Sequence, residues 1–162
     1  MTIFDETDTL GIRLRKVEKR LTAAESRAQA IETVRATARA VCGSDGICLV
    51  VRDGDLCHYI EEDAIGPLWK GQRFPMSACI SGWSMLNAQT AAIEDVFTDP
   101  RIPHDAYRPT FVKSLIMTPI GEAAPVAAIG AYWAQKRSFT HTEIATVKTL
   151  SHLIAKALSF LV

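Results

Sequence analysis

The chain has no excess of either charge: 18 lysines and arginines balance 18 aspartates and glutamates. The basic residues are dispersed, so the positive stripe on which nucleic-acid binding rests is missing. No run of about 18 apolar residues is present, which leaves nothing long enough to cross a bilayer as a helix. The opening residues, MTIFDETDTLGIRLRK, lack the apolar centre and small-residue cleavage site of a secretory signal. Together these absences predict a cytoplasmic protein with neither nucleic acid nor membrane as a partner.

Catalytic signatures are equally scarce. The sequence holds no GxSxG elbow, no glycine-rich phosphate loop and no HExxH helix. Cys42, Cys48, Cys57 and Cys79 form no CxxC pair and sit among apolar neighbours, so they read as reduced, mostly buried thiols. No metal-ligand spacing joins them to His58. His152 is followed by Leu153 and Ile154 on a helix with no ATP-binding signature, and reads as a solvated or interfacial histidine rather than a phosphoacceptor. The expectation is a protein that is not an enzyme.

What is present suits one compact domain: 162 residues, 48% of them hydrophobic, can build a real core. From Leu10 the apolar positions step by four and three through Leu14, Val17, Leu21, Ala24, Ala28 and Ile31, which predicts one long helix with a heptad seam. A seam this narrow suits pairing with a second copy of the chain; the alternative is that the helix lies along the domain's own sheet, with Val34, Ala38 and Val41 packing inward. The division is then a heptad helix over 1–42 and a domain over 43–162. Gly43 to Gly46 ends the helix, and Ile47–Val51 and Leu56–Glu61 form a hairpin about Asp53-Gly54. Gln72–Phe74 reads as an edge strand and Ile80–Asn87 as a short helix. That helix would be capped by Ser77 or Ser81 and would turn Trp83 and Leu86 inward. A strand over Thr90–Ile93 precedes a loop that Pro100, Pro103 and Pro109 keep out of regular structure. Ser114–Ile120 and Val126–Ala134 are two further strands, and Thr140 with Glu143 is a capping box opening a last amphipathic helix.

The order of these elements, with the phrases ISGW, DPRIP, AYRPTFVKSL and PVAAIGAYWA, resembles a GAF domain, and within that family the GAF domains of bacterial sensor histidine kinases of the HWE type. The resemblance covers roughly Ala40 to Val162. It implies an α/β (α+β) fold with a central antiparallel sheet of five or six strands, terminal helices on one face and ligand-covering loops on the other. It further implies a small-molecule sensor that regulates a two-component histidine kinase or similar output, with a homodimer formed through the terminal helices. A dimerisation or scaffold module without a ligand is the alternative from a different class.

Transferred to this sequence, the resemblance places Trp69, Trp83, Tyr107 and Phe111 around a pocket, with Asp95, His104, Arg108 and Lys113 as polar groups. Arg108 has the planar fork that suits a carboxylate or phosphate. Each aromatic taken alone is more often the kind of residue that fills a core. The cofactor stays open. Bilin-binding GAF domains attach chromophore through a cysteine in a segment that here reads HDAYRPTFV and has none, while Cys57-His58 comes too early. Free methionine-R-sulfoxide reductases are GAF-fold enzymes whose cysteines would fall at Ser81-Gly82 and near Ala106. Both places lack sulfur, and Cys79 is two residues from the first.

Overall fold

The computed structural model describes residues 9–160. Helices α1 (Leu10–Ala23) and α2 (Arg27–Cys42) precede strands β1 (Gly46–Asp53), β2 (Leu56–Ala64) and β3 (Arg73–Pro75). Helix α3 (Ile80–Asn87), strand β4 (Ala91–Ile93), the single helical turn α4 (His104–Tyr107), strands β5 (Ser114–Ile120) and β6 (Ala127–Trp133) and helix α5 (His141–Phe160) complete the order. The six strands form one antiparallel sheet in the order β3-β2-β1-β6-β5-β4. β3, whose Pro75 cannot donate to a ladder, lies at an edge.

Alternation along the strands sends side chains into two separate cores. Ile47 and Leu49 of β1, Ile116 of β5, and Ile129 and Ala131 of β6 face α1, α2 and α5, in a cluster built mostly of aliphatic residues. Cys48 and Val50, Leu115 and Met117, and Ala128 and Tyr132 face the opposite way, toward α3 and the loops. A bulge at Ile60, where Leu49 pairs with Glu61 but Val50 with Tyr59, returns Glu62 to the loop side opposite Cys48.

The single N-terminal helix expected over 1–42 is two helices. Ala24 adopts extended backbone (ψ 131°), and Ser26 caps α2 by accepting from the Gln29 N–H at 3.1 Å. The Gln29 side chain reaches back past the cap and accepts from the Glu25 N–H at 2.8 Å, which helps restart the helix inside the heptad run. The break also changes the buried face. α1 buries Val17 and Leu21, whereas α2 buries Ala30, Val34, Ala38 and Val41 and leaves Ala28 exposed. The seam residues of α1 therefore pack inside the chain, in the same cluster as Leu150 and Ile154 of α5. The first residues of the expected helix span, 1–8, lie outside the described residues.

Two capping expectations diverge. At α5 the Glu143 N–H donates to Thr140 Oγ1 at 3.1 Å and the Thr140 N–H to Glu143 Oε1 at 3.0 Å, as the capping box requires. At α3 neither serine caps: Cys79 holds the N-cap position without a side-chain bond, and Ser81 is buried instead. The inward face of α3 is Ile80, Ser81, Ser84 and Met85, with Trp83 half-buried and Leu86 exposed. Gly82 sets that orientation, because a Cβ there would lie 1.9 Å from the Met76 carbonyl oxygen.

Candidate functional site

On the loop side of the sheet four rings surround one another. Trp69 lies with its ring centre 4.5 Å from Tyr107, 5.4 Å from Tyr132 and 5.6 Å from Tyr59, and Phe74 meets Tyr59 edge-on at 5.5 Å. Trp69, Tyr107, Tyr132 and Tyr59 are all buried. Each comes from a different part of the fold: Tyr59 from β2, Tyr132 from β6, Trp69 from the β2–β3 connection and Tyr107 from α4.

The Trp69 connection is pinned at two ends. Glu62 on β2 accepts from the Leu68 N–H at 3.0 Å and from the Lys70 N–H at 2.8 Å, so its carboxylate brackets Trp69 in sequence. Trp69 Nε1 then donates to the Ala106 carbonyl at 2.9 Å, across to the loop that carries Tyr107. Glu62 was not singled out from the sequence; the only signal was its place one residue beyond the expected strand end. The Gly66-Pro67 turn follows it.

The polar groups of this face are unevenly satisfied. The Tyr59 hydroxyl shares a hydrogen bond with Ser81 Oγ at 3.0 Å. Among the described residues, the buried hydroxyls of Tyr107 and Tyr132 have no hydrogen-bond partner. The Cys48 thiol lies close beside Tyr132, but sulfur is a weak donor and acceptor, and the hydroxyl has no partner of hydrogen-bond geometry. Leaving a buried hydroxyl unpaired costs about 1–3 kcal/mol, so two such groups against one tryptophan are a substantial expense in a single core. Burial pushes all three tyrosines well above the ordinary phenol value, with their neighbours adding to it, so they stay protonated.

Cys57 and Cys79 meet on the same face. The neighbouring Cys57, then Ser81 and the backbone N–H groups of Gly82 and Ser81, hold Cys79 below the ordinary thiol value, while the nearness of Cys79 and burial push Cys57 up. Cys57 Sγ also lies 3.2 Å from Met76 Sδ and Cys79 Sγ 3.3 Å from Ser81 Oγ. All four cysteines are free, with Cys42 on the helix side half-buried and the other three buried.

Of the residues nominated from the sequence, the structure brings Trp69 and Tyr107 together, with Phe111 half-buried at the margin of the same cluster, against Gly46 and Gly66. The polar nominees do not reach the ring cluster. Arg108 is exposed and pairs with Asp105 one helical turn back. Asp95 caps the turn at Val96–Thr98 by accepting from the Phe97 N–H at 3.0 Å and pairs with Lys136 at 3.2 Å. His104 Nε2 contacts the Asp99 carbonyl at 3.0 Å, and Lys113 lies over the Phe97 ring at 5.3 Å. Trp83, half-buried on α3, packs against the edge of the same cluster as Phe111 does, with the Arg101 guanidinium 4.3 Å over its ring and Arg101 paired with Asp99 at 2.6 Å. Those residues hold the proline-rich loop together; the sequence could not separate that role from ligand contact. A cleft of about 810 Å³ opens elsewhere, between α5 (Lys148, His152, Lys156), the α3–β4 connection and the end of β5 with the turn that follows it.

Among the described residues no helix is long and apolar enough to cross a membrane, and no cluster of three or more His, Cys, Asp or Glu could hold a metal ion. No match was found among curated proteins. Solved structures superpose along nearly the whole chain. The GAF domain of a phosphoenolpyruvate-protein phosphotransferase from Coxiella burnetii is 16% identical with a TM-score of 0.81, covering 96% of each chain. Free methionine-R-sulfoxide reductase from Neisseria meningitidis, in complex with its substrate, is 15% identical with a TM-score of 0.81, covering 98% of this chain and 93% of its own. The phycoerythrobilin-bound GAF domain of a cyanobacterial phytochrome is 17% identical with a TM-score of 0.77, covering 93% of this chain and 94% of its own. At such identities these likenesses speak for the fold. The family model for the GAF domain matches residues 24–159, from the end of α1 to the last turn of α5, and the chain therefore belongs to the GAF domain family.

Proposed function

We propose that this domain senses a small molecule, bound without a covalent bond between the sheet and the Trp69 and Tyr107 loops, and passes the change through the sheet to α1, α2 and α5. The observation that carries this reading is the difference between the two cores. The helix side is largely aliphatic, while the loop side gathers three tyrosines, Trp69, three thiols and Ser81 under two loops tied by the Trp69 hydrogen bond. A face meant only for packing gains nothing from polar atoms it must keep satisfied. A face that receives a ligand uses a few of them to orient it.

The output fits regulation of a two-component histidine kinase or a similar module, and a homodimer through the terminal helices belongs to the same proposal. A ligand would act by favouring one arrangement of the helices over another, since equal affinity for both would shift nothing. Catalysis is not part of the reading. Ser81 and Ala106 stand where the reductase likeness would call for sulfur.

The scaffold reading is favoured by one observation: the space beneath the loops is filled by the protein's own rings. Denaturing natively purified protein and weighing what is released by mass spectrometry tests the two. A stoichiometric small molecule supports the sensor; an empty protein whose α1 and α5 mediate pairing supports the scaffold.

A further inference from the structure

The two unpartnered hydroxyls constrain what a ligand on this face would look like. Tyr107 and Tyr132 flank the same Trp69 ring, and neither hydroxyl has a hydrogen-bond partner of ordinary geometry among the described residues, the Cys48 sulfur beside Tyr132 being only a weak acceptor. A phenol O–H is satisfied only by an acceptor, so a ligand group that merely donated to the oxygens would leave both protons unpaired. Tyr132 lies back along its own strand over Gly130, where a Cβ would come within 2.4 Å of its hydroxyl, so the glycine is what lets that hydroxyl lie over the sheet.

Charge narrows the class further. The cations around the loops are committed elsewhere: Arg108 to Asp105, Arg101 to Asp99, Lys70 to Glu61, and Lys113 to the outer face of Phe97. An anion placed among the rings would be taken out of water with no counter-charge, the costly case for a buried ion. A cation would have to share Glu62, the acid set opposite Cys48, whose two oxygens hold the Leu68 and Lys70 N–H groups, so pairing with it would loosen the turn that carries Trp69.

Resting on the sensor reading, we propose that the ligand is an uncharged, ring-bearing molecule that enters beside Trp69 once the two loops part and offers two acceptor atoms, carbonyl or ring nitrogen, to the hydroxyls of Tyr107 and Tyr132. Neutral lactams, amides and nucleobase-like rings have this chemistry; carboxylates and phosphates do not suit it. Access requires the Trp69 hydrogen bond to Ala106 to open, which makes that bond the latch of the site.

The test uses the intact chain with matched pairs of fragments, nicotinamide beside nicotinate and benzamide beside benzoate, together with a wider set of neutral lactams, all read by saturation-transfer NMR. Binding is expected among the neutral members only, and at least tenfold weaker in the Tyr107→Phe/Tyr132→Phe double variant. Each single Tyr→Phe variant should also melt higher than the parent, by about 2–4 °C, because it deletes an unpaired buried hydroxyl while keeping the ring. Carboxylates that bind as tightly as their amides overturn the neutral class and leave the sensor reading standing. A lower melting temperature in both variants also overturns it, since the hydroxyls would then already have partners. If no fragment binds and nothing is released from the purified protein, the sensor reading itself fails.

Discussion

Trp69 donates its indole N–H to the carbonyl of Ala106 at 2.9 Å, joining two loops that are 37 residues apart in sequence. Among the described residues the bond is the one polar tie between the β2–β3 connection and α4, and the tyrosine next to Ala106 packs at a tilt against the same indole.

Trp69→Phe keeps most of the ring and removes the donor. The expected loss is about 1–2 kcal/mol, mainly from the stranded Ala106 carbonyl. Amide exchange should quicken in 104–112 more than in β1 or β6. Uniform quickening across the sheet would mean that Trp69 supports the core and not a latch.

Leu21 is 3% exposed within a single chain. Leu21→Ala should cost about 2–5 kcal/mol, as cavities in a core do, and the loss should be the same at low and high protein concentration, because Leu21 packs within one chain and not across the proposed dimer. A loss that changes with concentration would show that Leu21 belongs to a seam between two copies.

Gly82→Ala brings a methyl group to 1.9 Å from backbone oxygen of Met76, which cannot swing aside as a side chain could. The penalty should reach or pass the upper end of the roughly 1–3 kcal/mol typical of overpacking. Near-parental stability by thermal unfolding would show that the turn before α3 yields freely.

The Asp99 carboxyl is held below the usual carboxylate value, first by the Arg101 hydrogen bonds. Since its folded value is depressed, its contribution is present above the unfolded value of about 3.9 and is lost as pH falls through the folded value. Asp99→Asn should therefore lower stability at pH 6 by no more than about 1 kcal/mol and narrow the gap to the parent below pH 4. A constant gap between pH 6 and pH 3 would show that the pair does not titrate with folding.

The sequence by itself determined the strands and the α5 capping box, because these follow from short apolar runs, turn chemistry and caps that act within a few residues, while the two faces of the sheet came from the family resemblance. It also carried the break between α1 and α2, in Ser26-Arg27-Ala28-Gln29, but the heptad spacing across that point masked it. Tertiary structure alone decided which candidates meet. Arg108 and Tyr107 are adjacent in the chain, yet one faces solvent with Asp105 and the other is buried against Trp69, because a helical turn sends neighbouring side chains about 100° apart. The unpaired hydroxyls of Tyr107 and Tyr132, from α4 and β6, become one feature only when the chain closes around Trp69, since hydrogen-bond satisfaction depends on neighbours far away in sequence.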